Sequence, residues 1–308
     1  MKELTVRNLL FLEDAGNHRR TWVWAVPFLV FAFFIVGQIS ALLLFKPFDI
    51  FTKDNIETYP YIIYMLIGTF GVVALIAFAW VKYFERRSLK SIGLGVDEQT
   101  KPVFGRGFLQ GIVMGCLVVA GVFTFGGYSV EAGAPLSLND LIPIFILMLC
   151  FIIQSSTEEI LFRGWMLNRV AARYGFWVGA MANSLVFTLM HIDDSVTSMT
   201  LVDASIFVSM TMLFSIFLSL MVRRDGSVWG ACGWHASWNW LFITWWGLPT
   251  TGIELGLQPL VMDLMPTEGA PKWLSGGAMG PEDSVFAVMI LALGTLYYLV
   301  ERKRAASA

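Results

Sequence analysis

The chain has 308 residues, 56% of them hydrophobic and 14% charged, with a formal net charge of −2 and a mean hydropathy of +0.67. Soluble domains carry about 25% charged residues, so this composition excludes a water-soluble globular domain and requires much of the surface to face lipid. No basic patch with interleaved aromatics is present, which excludes nucleic acid as a partner, and Cys116, Cys150 and Cys232 lack the CxxC spacing of a thiolate zinc site or disulfide framework.

Residues 1–20 are polar and read as a cytoplasmic N-terminal segment. The apolar run behind them is too long for a signal-peptide core and ends without a small-residue cleavage pattern, so it reads as a retained first span. A helix needs about 20 apolar residues to cross the hydrocarbon core, and eight stretches qualify. Thr21 to Phe45, Tyr59 to Val81 and Gly107 to Val130 carry no charge. The third is Gly-rich, which leaves a shorter or partly re-entrant segment open. The fourth starts at Leu141 and runs uncharged to Thr157, where it meets Glu158 and Glu159. The fifth is Tyr174 to His191, the sixth Ala204 to Val222, the seventh begins near Val228 and holds His235, and the eighth is Ser284 to Val300.

Lys and Arg accumulate on the cytoplasmic side of a membrane. The N-terminus, the second, fourth and sixth loops and the C-terminus are rich in them. The odd loops hold only Lys46, Lys53 and Lys272. The sequence therefore predicts an all-α polytopic membrane helix bundle of about eight transmembrane helices, with both termini cytoplasmic. Residues 21–304 form one transmembrane domain with its core at about 141–246, followed by a tail at 305–308. The loop from about Gly247 to Asp283 is rich in Gly and Pro and reads as external and partly mobile, either a lid or an uninvolved connection. No Asn-x-Ser/Thr sequon occurs, which favours a bacterial inner membrane over the secretory pathway.

An ionisable group inside a span costs about 2.5–3.5 kcal/mol on insertion scales and marks a functional site by default. Three clusters qualify. Glu159 and Arg163 are four apart, share a helix face and can pair. Glu158 is turned about 100° away, and is left for another task or for solvation at a helix end. Phe187 and His191 share a face, as do His235 and Asn239; the bland readings are interfacial placement and interhelical hydrogen bonding. His18 is the third and last histidine and lies in the polar N-terminus.

A tight turn is expected at Tyr174-Gly175, since Gly favours helix ends. Glu158 lies sixteen positions before Tyr174 and His191 sixteen after Gly175. Equal arms place both at one depth, roughly 24 Å from the turn. The charged stretch Arg163 to Arg173 then reads as the end of the fourth helix projecting past the lipid. A carboxylate and an imidazole can deprotonate water, while a second imidazole and an amide can bind an oxyanion. Two His and one Glu (Glu158, His191, His235) are also a zinc set with water in the fourth position, although no HExxH motif is present.

EExxxR (Glu158, Glu159, Arg163), FxxxH (Phe187, His191) and HxxxN (His235, Asn239), in this order on separate spans, resemble the CPBP family of type II CAAX prenyl endopeptidases and bacteriocin-processing proteins. The resemblance covers about Leu141 to Trp246. It implies an intramembrane endopeptidase acting on a hydrophobic or lipidated peptide in contact with membrane lipid. Glu158 and His191 would activate water, His235 and Asn239 would bind the oxyanion, and Glu159, Arg163 and Phe187 would support them. Both a zinc mechanism and a metal-free glutamate mechanism are implied for the family. Asn239 beside His235 suits the second. The residues alone also allow a non-catalytic immunity or scaffold protein, or a proton-coupled transporter using Glu158 and the histidines as a relay.

Overall fold

The computed structural model describes residues 19–45, 59–132, 135–192 and 199–307. His18, Lys46, Lys53 and most of the polar N-terminal segment lie outside the described residues. The chain is an all-α bundle. The helices are α1 (Val23–Leu44), α2 (Tyr61–Phe84), α3 (Thr100–Thr124), α4 (Leu138–Tyr174), α5 (Phe176–Met190), α6 (Leu201–Asp225), α7 (Trp229–Trp246) and α8 (Val285–Ser307). Of these, α1, α2, α3, α4 and α6 are long and apolar enough to cross a membrane. The expected eight crossings are therefore met by five helices of spanning length and apolarity. The fifth helix and the apolar stretch Val285–Glu301 of the eighth are shorter, and α7 carries His235, Ser237 and Asn239 among its tryptophans.

The third expected span is a continuous helix, not a re-entrant one, and its glycines have a packing purpose. Gly107, Gly111 and Gly115 form one stripe on α3 that lies against α7. A Cβ on Gly107 would stand 2.0 Å from the Gly230 carbonyl oxygen, and one on Gly111 2.5 Å from that of Trp234. Small residues let membrane helices approach until their backbones touch. That close approach, repeated up the stripe from Gly107 to Gly115 against Gly230 to Leu241, makes α3 and α7 parallel neighbours.

The turn between α4 and α5 falls at Gly175, whose φ of 85° and ψ of 161° suit glycine. Beyond Glu159 the ladder of α4 slips into a π-helical stretch, Ile160–Leu167, before α-geometry resumes at Asn168. The start of the charged run expected to project beyond the lipid is buried within the bundle, while Arg173 at its end is exposed. Arg163 and Leu167 are 0% exposed. This buried part is sheathed by α1, α2 and the 88–93 turn, where Gly164 abuts the Ile92 carbonyl and Asn168 donates to the Ser91 carbonyl at 2.6 Å. Glu85 is also fully buried, and accepts bonds from Thr21 at 2.5 Å and Trp165 at 3.2 Å. It ties the start of α1 to the end of α2.

Helices α5 and α6 share polar contacts, Asn183 to Ser215 at 3.2 Å and Thr188 with Thr211 at 2.9 Å. Of the six tryptophans between Trp229 and Trp246, Trp234 and Trp238 are fully buried and stack on each other. They are packing residues, as is Trp240, which donates to the Ile144 carbonyl at 3.0 Å. Cys150 and Cys232 are buried and Cys116 partly so, all three unlinked.

The 247–283 segment folds back onto the bundle. Leu260 donates to the Thr244 carbonyl at 2.8 Å. A short strand, β2 (Leu264–Pro266), pairs antiparallel with β1 (Tyr128–Val130), the extension of α3. Thr250 and Ile253 exchange backbone hydrogen bonds across Thr251 and Gly252, both at positive φ, as in a type I′ turn. Leu248, Leu255 and Leu274 are buried beneath it. The loop read as external and partly mobile is thus in part a packed cap.

Candidate active site

The carboxylate and guanidinium expected to pair do so. Arg163 Nη1 donates to Glu159 Oε1 at 2.9 Å with both side chains fully buried. The same oxygen receives a second partner, His235 Nδ1, at 2.8 Å. A carboxylate accepts only, so the Nδ1 proton points at Glu159 and Nε2 is turned the other way. Nε2 lies 4.0 Å from Glu158 Oε2. The adjacent glutamates therefore flank one imidazole, a relation that the EE pair in the sequence does not reveal.

Glu158 is 6% exposed. Its Oε1 accepts from Gln154 Nε2 at 2.8 Å, one helical turn earlier on α4. Its Oε2 is buried and has no hydrogen-bond partner among the described residues. Gln154 Oε1 in turn accepts from Asn239 Nδ2 at 3.2 Å and from Ser155 Oγ at 2.9 Å. Gln154 thus links the carboxylate of α4 to the amide of α7. An amide nitrogen carries two protons, so the bond to Gln154 leaves Asn239 one to offer.

His191 closes α5. Its Nδ1 is 2.8 Å from the Phe187 carbonyl oxygen, which fixes the tautomer with Nε2 free. Phe187 explains the spacing of its motif. Its ring lies 4.3 Å from that of His191 on one side, and the Arg163 guanidinium stands 4.6 Å from its centroid. Phe214 continues the wall, stacked on Phe187 and edge-on to His235 at 4.9 Å.

All four residues expected to act line one cavity of about 650 Å³. Glu158, His191, His235 and Asn239 form one side, and Phe34, Gln38, Tyr64 and Phe70 of α1 and α2 form the other. Glu158 and His191 share this cavity without touching each other. The tip of the 250–253 turn also reaches it through Thr250, Thr251 and Ile253.

The sequence reading did not single out four residues here. Gln154 carried a signal, a polar amide four positions before Glu158 in an apolar span. Thr251, Glu282 and Asp283 carried none, because only the fold returns the loop to the bundle. Glu282 Oε1 accepts from the backbone N–H of Thr251 and from its hydroxyl at 3.0 Å, which holds Thr251 in a left-handed conformation costly for a β-branched residue. Glu282 and Asp283 lie outside the spanning helices, and both titrate high. Burial raises Glu282, with the Thr251 bonds opposing it. Burial, then Glu282 and Asp203, push Asp283 up to about 8.

Each histidine engages an oxygen through one ring nitrogen and turns the other outward, an arrangement common among metal-ligating histidines. The donors nonetheless do not converge. Among the described residues no three His, Cys, Asp or Glu side chains lie close enough to hold one ion. The Glu158, His191 and His235 set does not fit zinc as it stands.

A family model described as Rce1-like, type II CAAX prenyl endopeptidase, matches residues 140–241, the segment that holds all three motifs. No curated protein matches the chain significantly.

Proposed function

We propose that this chain, a CPBP-family integral membrane protein of the CAAX-type intramembrane protease kind, hydrolyses a peptide bond of a hydrophobic or lipidated peptide held in the 650 Å³ cavity. The reading rests on one observation above others. Glu158 Oε2, buried and unpartnered among the described residues, faces His235 Nε2 at 4.0 Å, a gap one water oxygen can bridge.

Glu158, with His191 on the same cavity, activates that water. The water oxygen attacks the scissile carbonyl carbon while its proton passes to Glu158 Oε2. The carbonyl π pair moves to oxygen, and the spare Asn239 N–H and a doubly protonated His235, its Nδ1–H held by Glu159 and its second proton on Nε2, stabilise the resulting oxyanion. Glu158 then returns the proton to the leaving nitrogen as the C–N bond breaks. Each preorganised oxyanion donor contributes on the order of 10²–10³ in rate. Arg163, Glu159 and Phe187 position the two imidazoles. The loop charges support cytoplasmic termini, and the absent sequon favours a bacterial inner membrane over the secretory pathway.

The test uses purified protein in lipid nanodiscs and a farnesylated peptide ending in Cys-aliphatic-aliphatic-X. Wild type should cleave it and Glu158→Gln should not, at equal folded protein. Cleavage should continue in the presence of chelator. Full cleavage by Glu158→Gln would overturn the assignment, and liposome ion flux without cleavage would favour the transporter reading.

A further inference from the structure

A hydrolase inside a bilayer needs water at a site walled by hydrocarbon. Behind the catalytic wall is a second, smaller cavity of about 30 Å³. His191, His235, Asn239 and Thr251 line both cavities. The large one continues to Glu158, and the small one to Glu282 and Asp283. Its remaining walls are mostly apolar, formed by side chains such as Phe207, Met210 and Phe214.

Asp283 is the telling residue. It is 7% exposed, and both carboxyl oxygens are buried with no hydrogen-bond partner among the described residues. A buried carboxyl group left in that state costs several kcal/mol, and native structures satisfy such groups with protein or ordered water. No described donor reaches it, and it borders a cavity of water size. One water needs about 10–15 Å³ of such volume, so the chamber accommodates about two. Its position is built into the fold. Gly280, at φ 96°, lets the 281–283 turn press against the Pro249 carbonyl, where a Cβ would stand 1.9 Å away. Glu282 then locks that turn to Thr251, one of the four residues that line both cavities.

We infer that the Glu282–Asp283 chamber is a water-binding site that supplies the hydrolytic centre from the side opposite the peptide cavity, past His191, His235 and Asn239. This extends the hydrolase reading and rests on it for the word "supplies". Asp283 binds water, Glu282 holds the Thr251 turn that borders the passage, and the aromatic and methionine walls keep the chamber small enough to exclude the peptide.

The test has two arms. A structure of the wild-type protein in lipid, at a resolution that shows ordered water, should place density within hydrogen-bond reach of Asp283 Oδ1 or Oδ2. This arm does not depend on cleavage, so it separates failure of the chamber from failure of the protease reading. In the second arm, Asp283→Leu, which fills and dries the chamber, should lower kcat about tenfold with KM unchanged, the scale of one lost water bridge. Asp283→Asn, which still binds water, should stay near wild type. Met210→Phe fills the chamber from the opposite wall without touching the carboxyl group, and should reproduce the Asp283→Leu kcat if that variant folds poorly. A dry chamber in the wild-type structure, or wild-type kcat in both filled variants, overturns the inference.

Discussion

Replacing Glu159 by Gln changes one atom and removes one charge. The amide can still accept from Arg163 and His235 with its oxygen, so the shape of the site is preserved. The charge balance is not. Arg163 is fully buried, and Glu159 is its 2.9 Å partner. Removing one member of a buried pair strands the other and costs about 3–5 kcal/mol. The surrounding Phe187 ring offsets only a small part of this, since a desolvated cation–π contact contributes about 2 kcal/mol and is present before and after the change. The expected result is a matching loss of stability for Glu159→Gln in detergent, read by denaturant titration. Glu159→Gln combined with Arg163→Met should recover much of the loss, because the stranded cation is gone. Activity should not recover in the double variant. His235 still lacks the carboxylate that orients its Nδ1 proton, and amidation of such a carboxylate lowers kcat by on the order of 10²–10⁴-fold. Two results would refute the reasoning. One is a Glu159→Gln protein within about 1 kcal/mol of wild type; the other is a double variant whose destabilisation is the sum of the single ones.

Three further outcomes follow from the structure. Gly107→Leu should separate α3 from α7, because its Cβ would sit 2.0 Å from the Gly230 carbonyl oxygen; a cost of at least about 1–3 kcal/mol should appear as loss of monodisperse protein on size exclusion. Gln154→Leu removes the 2.8 Å donor to Glu158 and the acceptor of Asn239, and should lower kcat by about tenfold or more with KM little changed; a change in KM alone would contradict its positioning role. Asp283, pushed up to about 8 from 3.8, keeps its proton in the folded chain at pH values where the unfolded chain has lost it. Its contribution to stability is therefore fully present below the lower value and is lost as pH rises to about 8. Thermal unfolding between those limits should show wild type losing stability with rising pH and Asp283→Asn losing less.

Much of the helical core was legible in sequence because lipid imposes severe rules on composition and periodicity. Uncharged runs marked the spanning helices. The expense of ionisable groups in apolar segments singles out Glu158, Glu159, Arg163, His191 and His235 from sequence alone. The i to i+4 rule paired Glu159 with Arg163 correctly, and the hairpin turn fell at Gly175 as its flexibility required. Local rules lose their reach where the chain departs from one continuous helix. The π-helical stretch after Glu159 alters the count of residues per turn and packs Arg163 among neighbouring helices, while Arg173 at the end of the same charged run is exposed.

The sequence by itself determined that the protein is a membrane helix bundle, and named the polar residues that such a bundle could not carry idly. Only the tertiary structure decided who their partners are. His235 takes its orientation from Glu159 and faces Glu158, Gln154 joins α4 to Asn239, and a loop that looked unattached brings Thr251, Glu282 and Asp283 to the same wall. The reason is physical. Spacing along a helix fixes which residues share its face, but a contact between α4, α7 and the 247–283 segment depends on how closely helices pack. Here glycines on α3 and α7, some within a turn of His235, set how closely those two helices pack.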